Sequence, residues 1–481
     1  MSPFSPNPGS YLSEDTIAAL ASAPGGAITI LRISGPQAFS ALRSLLGTSR
    51  GTAAQVAERV LFRAGLRDSK GLPLDEALAV RFQAPRSFTG EDIVELYLHG
   101  STFIASRVME VLADFGIRQA LPGEFSFRAV RNGKLTLGQA QSVADLISAT
   151  NDSAVRLALE KLSGSQNRLL KIIADDLRNV AVLAETAIDF SDQEDCSSSL
   201  MGLSLESLKK KVLPVLETLE KLQSSYARGL RIQEGVRAAF IGLPNAGKSS
   251  FFNALLGEDR SIVSELAGTT RDVVHEQMCL RGHRGTVTLR LEDTAGLRSS
   301  EHPVERMGIE RTLRSARDAD LIFLIVDGRA CLTHGIDSVQ DQWRAIGSPK
   351  EKTLGILSKI DRLSSAERDL ARETCNSLEI STWIPVSSVT GEGVSIAIEK
   401  ITLFCDRWFT HDTGEVILTR LDQERAVTLS IEHLRRAKTA DHADLFAADI
   451  HQSLRALAPM IGDTLPDDIL NEIFSTFCIG K

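Results

Sequence analysis

The chain has 481 residues, 43% hydrophobic and 24% charged, with a formal net charge of −8 and a pI near 5.7. That balance belongs to globular domains able to bury cores, roughly three of them at about 100–200 residues each. It excludes a chain coated throughout in Lys and Arg for nucleic-acid binding, while leaving room for a local basic cleft. The six cysteines, Cys196, Cys279, Cys331, Cys375, Cys405 and Cys478, form no C-x-x-C pair, so neither a zinc site nor a disulfide framework is expected. Residues 1–12 carry no basic cluster and apolar core, and no apolar run approaches the roughly 20 residues that span a bilayer. No signal peptide and no membrane association are expected, and the cytoplasm is the expected location.

To about Gly133 the sequence reads as mixed α/β. Ala27–Ile33, Ala77–Phe82 and Ile93–Leu98 are short β-branched or alternating runs, punctuated by Pro24-Gly25-Gly26 and Pro122-Gly123. Then no proline occurs between Pro122 and Pro214, and Val143, Ile147, Val155, Leu159 and Leu162 recur at helical spacing. After a polar break at Ser191–Asp195, Leu205, Leu208, Val212, Val215 and Leu219 continue the helical pattern. Near Glu234 the pattern switches. Val236–Ile241, Val287–Leu291, Leu321–Val326, Thr353–Leu357 and Ile384–Val386 are strands alternating with helices, which predicts a mostly parallel sheet covered by helices. From about Cys405 the sequence is helical again. The fold class is α/β and multidomain: an N-terminal α/β domain (1–133), a helical domain in two parts (134–233 and 405–481), and an inserted Ras-like P-loop domain with a mostly parallel sheet (234–404).

Gly242-Leu243-Pro244-Asn245-Ala246-Gly247-Lys248-Ser249 fits G-x-x-x-x-G-K-[ST] between a predicted strand and a predicted helix. Over Asn245, Ala246, Gly247, Lys248, Ser249 and Ser250 backbone N–H groups can curl around phosphate oxygens, aided by the helix N-terminus. Lys248 is expected at the β- and γ-phosphates and Ser249 on Mg²⁺. Asp293-Thr294-Ala295-Gly296 follows an alternating strand; Asp293 can support Mg²⁺ through water, and the Gly296 N–H can sense the γ-phosphate. Ser358-Lys359-Ile360-Asp361 ends another strand. A carboxylate there accepts from guanine N1–H and the 2-amino group, whereas adenine leaves it unpaired, a discrimination of roughly four orders of magnitude. Between these motifs, Ala267-Gly268-Thr269-Thr270-Arg271-Asp272 is a loop whose threonine can complete the Mg²⁺ shell when γ-phosphate is present. Together the motifs predict a GTP-hydrolysing switch. Leu297 stands where Ras-type GTPases carry the glutamine that orients water, so another group is required, with Glu301, Glu305, Arg306 and Glu310 as charged candidates.

At this point nearly the whole chain resembles the MnmE (TrmE) family of tRNA-modification GTPases. The G-domain motifs are shared with other Era-like GTPases. More specific are Phe88-Thr89-Gly90-Glu91-Asp92-Ile93-Val94-Glu95-Leu96, Pro122-Gly123-Glu124-Phe125 continuing through Arg128, Asn132-Gly133-Lys134-Leu135 and Gln139-Ala140, and the terminal Phe477-Cys478-Ile479-Gly480-Lys481. The resemblance implies an N-terminal domain that binds 5-formyltetrahydrofolate or a related one-carbon folate and forms a homodimer. It implies a carboxymethylaminomethyl or aminomethyl group added to C5 of the wobble uridine of certain tRNAs, in a heterotetramer with the flavoprotein MnmG (GidA). It further implies K⁺ at Asn245, Ser264, the Leu266 carbonyl and Thr269, Mg²⁺ at Ser249 and Thr270, Glu305 as the residue that positions the attacking water, and a folate site at Arg32, Glu95, Lys134 and Lys481, with Cys478 nearby. Ser358 replaces the family's usual Asn, and the shorter side chain is expected to weaken a contact to the base or the P-loop. Ser387-Ser388-Val389 replaces Ser-Ala-Lys, and extra residues around Arg281 to Gly285 lengthen the hairpin before Asp293. The rival readings are an Era-like GTPase of ribosome assembly, which has no reason for the Cys-Ile-Gly-Lys terminus, and a nucleotide-gated scaffold, which has no reason to bind folate.

Overall fold

Six strands form the first sheet: β1 (Ile17–Leu20), β2 (Ile28–Ser34), β3 (Phe62–Arg67), β4 (Pro73–Phe82), β5 (Ile93–His99) and β6 (Arg118–Gln119). Their order is β3-β4-β5-β2-β1-β6, antiparallel throughout except for β1 beside β6. Side chains alternate between its two faces. Leu31, Ile33, Ala77, Ala79, Val94, Leu96 and Leu98 point into a core closed by the helices Ala38–Leu45 and Thr102–Asp114. The opposite face carries Ile30, Arg32, Glu95 and Tyr97, only partly covered, with Ile28 and Leu78 exposed. The coordinates are a computed structural model that describes residues 11–23, 25–47, 57–189, 204–257, 261–264, 276–282, 285–291, 315–409 and 415–461, and residues 474, 477 and 480.

The first sheet belongs to one of two compact units, formed by residues 1–144, 161–212 and 432–481. A cluster of charges fixes its lower edge. The Arg128 side chain is only 2% exposed and Glu124 is fully buried; they pair at 2.9 Å. Arg128 also reaches Glu91 at 3.1 Å and Asp15 at 3.0 Å, and Arg118 grips both Glu124 oxygens at 2.7 and 2.8 Å. Burial opposes ionisation of Asp15, but the Arg118 bond, Ser13 and the two guanidinium charges outweigh it and hold its carboxyl below the ordinary value. Ser34 donates to Glu91 at 2.8 Å, and Asn132 donates to the Thr89 carbonyl at 2.7 Å. The two N-terminal signature segments of the sequence are therefore one polar network.

The end of the chain packs on the same unit. Phe474 is fully buried, edge-on to Phe127 with ring centroids 5.6 Å apart, and Phe477 lies 5.0 Å from Phe474. Tyr11 completes the group, 5.2 Å from Phe127, its hydroxyl donating to the Pro122 carbonyl. Gly480 takes φ +93° and passes so close to β1 that a Cβ there would meet the Leu20 carbonyl at 1.9 Å. The helices Ser165–Asp189 and Ala443–Ile461 pack in this unit, with His451 and Glu185 2.8 Å apart. Helices Leu137–Ser148 and Asp152–Leu162 form where the periodicity predicts them. They bury a different face: Ala140, Ala154, Leu157 and Ala158 turn inward, while Ile147, Val155 and Leu159 are exposed.

The second unit comprises residues 145–160 and 213–431. Its seven strands are β7 (Val236–Ile241), β8 (Ser261–Ser264), β9 (Glu276–Gly282), β10 (Gly285–Leu291), β11 (Leu321–Asp327), β12 (Thr353–Ser358) and β13 (Trp383–Val386), in the order β13-β12-β11-β7-β10-β9-β8. From β13 to β10 all neighbours are parallel; β9 and β8 add an antiparallel edge, and the predicted longer hairpin joins β9 to β10. Leu321–Val326 is buried at every position, as a strand covered by helices on both faces must be. Among the described residues no helix is long and apolar enough to cross a membrane.

Removing Arg128 leaves Glu124 buried with Arg118 as its remaining cation. Breaking such a pair costs about 3–5 kcal/mol, and the retained Arg118 sets the loss at about 3. Arg128→Ala is expected to destabilise the first unit by that amount, measured in the full chain as faster amide exchange in β1, β2 and β5 under native conditions. Unchanged protection there would disprove the structural weight given to the cluster.

Candidate nucleotide site

The parallel strands all end on one side of the second sheet, and the motif residues follow those ends. β7 gives way at Gly242 to the glycine-rich loop, and the helix Lys248–Gly257 starts at the motif lysine. The first N–H groups of that helix have no intrahelical acceptor and face the loop's cavity. Asn245 holds φ +62°, a left-handed conformation that asparagine tolerates better than most side chains. The Lys248 ammonium folds back on its own loop, donating to the Gly242 carbonyl at 2.8 Å and the Leu243 carbonyl at 3.0 Å. Burial pulls its pKa down, so an arriving phosphate would supply the negative charge that this ammonium lacks.

The Ser358-Lys359-Ile360-Asp361 segment comes from β12, two strands away. Ser358 is buried, and its hydroxyl lies 2.6 Å from the Ala246 carbonyl and 3.1 Å from that of Val326. The shorter side chain still bonds directly to the glycine-rich loop, at Ala246. Lys359 stands at φ +58° and ties two further elements, donating to the Asn245 carbonyl at 2.6 Å and pairing with Asp327 at 2.7 Å. Asp361 is exposed, and its Oδ1 accepts from the Ser387 hydroxyl at 2.7 Å, which fixes the carboxylate's direction.

Asp327 was not singled out by sequence reasoning. It ends β11 and caps the helix Gly328–His334 by accepting from the Arg329 and Ala330 N–H groups. Burial opposes its charge, but Lys359 and those N–H groups outweigh it and hold its pKa below the ordinary value. The available signal was an aspartate closing an apolar strand, a common pattern with low specificity. Of the other predicted residues, Asn245, Ala246, Gly247, Lys248, Ser249 and Ser250 form the loop and first turn, and Ser264 is the last residue of β8. Leu266, Thr269, Thr270, Asp293, Thr294, Ala295, Gly296 and Glu305 lie outside the described residues.

In the first unit, Arg32 and Glu95 face each other across β2 and β5 and pair at 2.8 Å. The Arg32 guanidinium lies over the rings of Phe88 (5.3 Å) and Phe125 (5.7 Å), and the Tyr97 hydroxyl donates to Glu95 at 3.1 Å. Burial and the Glu95 charge push the Tyr97 phenol up, so it stays a donor. Lys134 is bound instead to the Pro85 carbonyl at 2.9 Å. Cys478 and Lys481 lie outside the described residues. A ring with both donor and acceptor edges fits the cation and carboxylate of this pair, while Phe88 and the fully buried Phe125 back Arg32.

A glycine-rich loop that fits the P-loop motif on a parallel strand, tethered to Ser358 and Lys359 beyond the neighbouring strand, defines a P-loop GTPase domain. The family described as "MnmE helical domain" matches residues 137–478, and "GTP-binding protein TrmE N-terminus" matches residues 16–134. The chain is 35% identical over 476 residues to "tRNA modification GTPase MnmE" of Koribacter versatilis, covering 97% of this chain and 99% of that one. It is 36% identical over 473 residues to the protein of that name from Sodalis glossinidius, with 97% and 99% covered. For the one from Carboxydothermus hydrogenoformans the figures are 32% over 477 residues, with 98% and 100% covered. The chain belongs to the MnmE family.

Two substitutions test this geometry. Ser358→Ala removes a buried bond to the P-loop and is expected to weaken GTP binding about tenfold, or about 1.4 kcal/mol; titration with a fluorescent GTP analogue checks it. Asp361→Asn replaces a double acceptor with an amide, so xanthine nucleotide is expected to bind better relative to GTP. An unaltered preference would mean that Asp361 does not read the base.

Proposed function

We propose that this chain hydrolyses GTP and couples the cycle to modification of C5 of the wobble uridine in certain tRNAs, adding a carboxymethylaminomethyl or aminomethyl group. The observation that supports the reading is the frame of bonds at the P-loop: Ser358 on Ala246, Lys359 on both Asn245 and Asp327, and Asp361 held by Ser387. In it Lys248 would leave its loop carbonyls for the β- and γ-phosphates. Ser249 and Thr270 would hold Mg²⁺, which neutralises charge on the phosphates. Asn245, Ser264, the Leu266 carbonyl and Thr269 would hold K⁺, a positive charge placed where an arginine finger acts in other GTPases. Glu305 would position the attacking water in place of the glutamine that Leu297 excludes.

The one-carbon donor would be a formyltetrahydrofolate held by Arg32 and Glu95, with Lys134, Lys481 and Cys478 nearby. Support for it is the Arg32–Glu95 pair beside Phe88 and Phe125. A homodimer would cover the open sheet face where Ile28 and Leu78 are exposed. The domain limits we assign are 1–133 for folate binding and dimerisation, 134–233 and 405–481 for the helical part, and 234–404 for the G domain. The protein would act in the cytoplasm with tRNA and the flavoprotein MnmG.

Nucleoside analysis of tRNA from cells lacking this chain tests the reading. Wild type is expected to restore the modified wobble uridine, and Glu305→Ala is expected not to. The purified variant should bind GTP nearly normally yet hydrolyse it at least about a hundredfold more slowly, as for loss of a positioning group. Absence of any wobble-uridine change with wild type would defeat the proposal, and lost GTP binding in the variant would make Glu305 structural.

A further inference from the structure

One side chain bonds both to the helical turn that precedes β7 and to the middle of β10. Asn151 is the N-cap of the helix Asp152–Leu162, its Oδ1 accepting from the Ala154 N–H at 2.8 Å. Its Nδ2 donates to the Ile232 carbonyl at 3.0 Å and to the Thr288 hydroxyl at 3.2 Å. Ile232 is in the last turn of the helix Leu205–Glu234, which runs through Gly235 directly into β7 and so to the P-loop. Thr288 is in the middle of β10, which leads to Asp293. Thr288 is fully buried and Asn151 is 5% exposed, so these bonds are shielded from water.

Neighbouring contacts strengthen the joint. The Thr150 and Thr288 hydroxyls lie 2.9 Å apart, the Cys279 thiol is 3.5 Å from the Thr150 carbonyl, and Arg290 of β10 pairs with Glu234 at 2.8 Å. Gly235 runs hard against the Thr288 backbone; a Cβ there would lie 2.9 Å from its carbonyl. β7 and β10 are parallel neighbours, with Leu289 opposite Val236. Any change at the phosphates that shifts the segment after β10 against the P-loop must shear this pair, and the shear is met at Asn151. The helices that Asn151 joins leave the second unit: the opening turns of Leu205–Glu234, to Val212, and the end of Asp152–Leu162, from Lys161, belong to the first.

We infer that Asn151, acting through Thr288, is a positioning residue that passes the nucleotide state of the phosphate site to the helices Asp152–Leu162 and Leu205–Glu234. The inference rests on the GTPase reading above. Asn151 lies apart from the P-loop; it ties the middle of β10 to the last helical turn before β7.

The test uses the full chain with Mg²⁺ and K⁺, comparing amide exchange in GDP and in a non-hydrolysable GTP analogue. Thr288→Val keeps the shape but removes the hydroxyl. Asn151→Ser keeps a good N-cap but cannot span to Ile232 and Thr288. In wild type, exchange over 152–162 and 225–234 is expected to differ at least about fivefold between the nucleotides, the lower range of measured couplings. In either variant that difference is expected to fall below about twofold, while GTP affinity and single-turnover hydrolysis stay within about threefold and wobble-uridine modification drops. A merely structural role would lower the melting temperature and leave the nucleotide-dependent difference in place, which would overturn the inference. So would a wild-type protein that binds GTP but shows no difference in these helices. Wild type that fails to bind GTP would overturn the GTPase reading, and this inference with it.

Discussion

Backbone amides can grip a phosphate only where folding leaves them unpaired, and in this chain that place is the edge at which five parallel strands end. β7, β10, β11, β12 and β13 share a direction, so whatever follows each of them gathers on one side. Asp327 ends β11, Ser358 ends β12 with Asp361 just beyond it, and Ser387 follows β13. None of them is near the P-loop in sequence, yet Ser358 and Lys359 bond to it. The sheet supplies the distance and the direction; short polar side chains only have to close the remaining gaps.

The first unit answers a different electrostatic problem. Its motif residues are mostly charged, and burial of an isolated charge is prohibitive. Arg128, Arg118, Glu124, Glu91 and Asp15 solve this by sharing each other's hydrogen bonds, so the cluster stands or falls together. Such a network stabilises little in net terms, and even here the buried Arg128 Nε has no hydrogen-bond partner among the described residues. Its role is to hold the loop of Phe88 and the helix of Phe125, whose rings flank Arg32.

Much of this was legible from local pattern. The five strands predicted for the second unit form within a residue or two of their expected limits, because parallel strands buried on both faces read as apolar runs. β1 was not legible: Ile17-Ala18-Ala19-Leu20 has the composition of a helix, and only burial between β2 and β6 makes it a strand. The inward faces of Leu137–Ser148 and Asp152–Leu162 were not legible either. Alanines pack there, and the larger aliphatic side chains that carry the periodic signal point outward. In the site, Lys248 and Asp361 announce themselves by motif, whereas Asp327 and the tether made by Ser358 depend on which strands are neighbours. No local pattern encodes that. Arg32 and Glu95 likewise meet only through the register of β2 and β5.

The packing of Phe474, Phe477 and Gly480 on residues near Tyr11, Leu20 and Phe127 also has a temporal meaning. The ribosome makes the two sides of this contact far apart in time. Residues 145–431 are mostly the second unit and emerge between them, so that unit is complete in sequence while the first still lacks its last pieces. At roughly 5–20 residues per second, tens of seconds separate synthesis of Phe127 from synthesis of Phe474. During that interval the aromatic surface around Phe127 has no covering from its own chain. The aromatic surface around Phe127 is therefore made well before the residues that cover it, and it stays open until Phe474 has been synthesised.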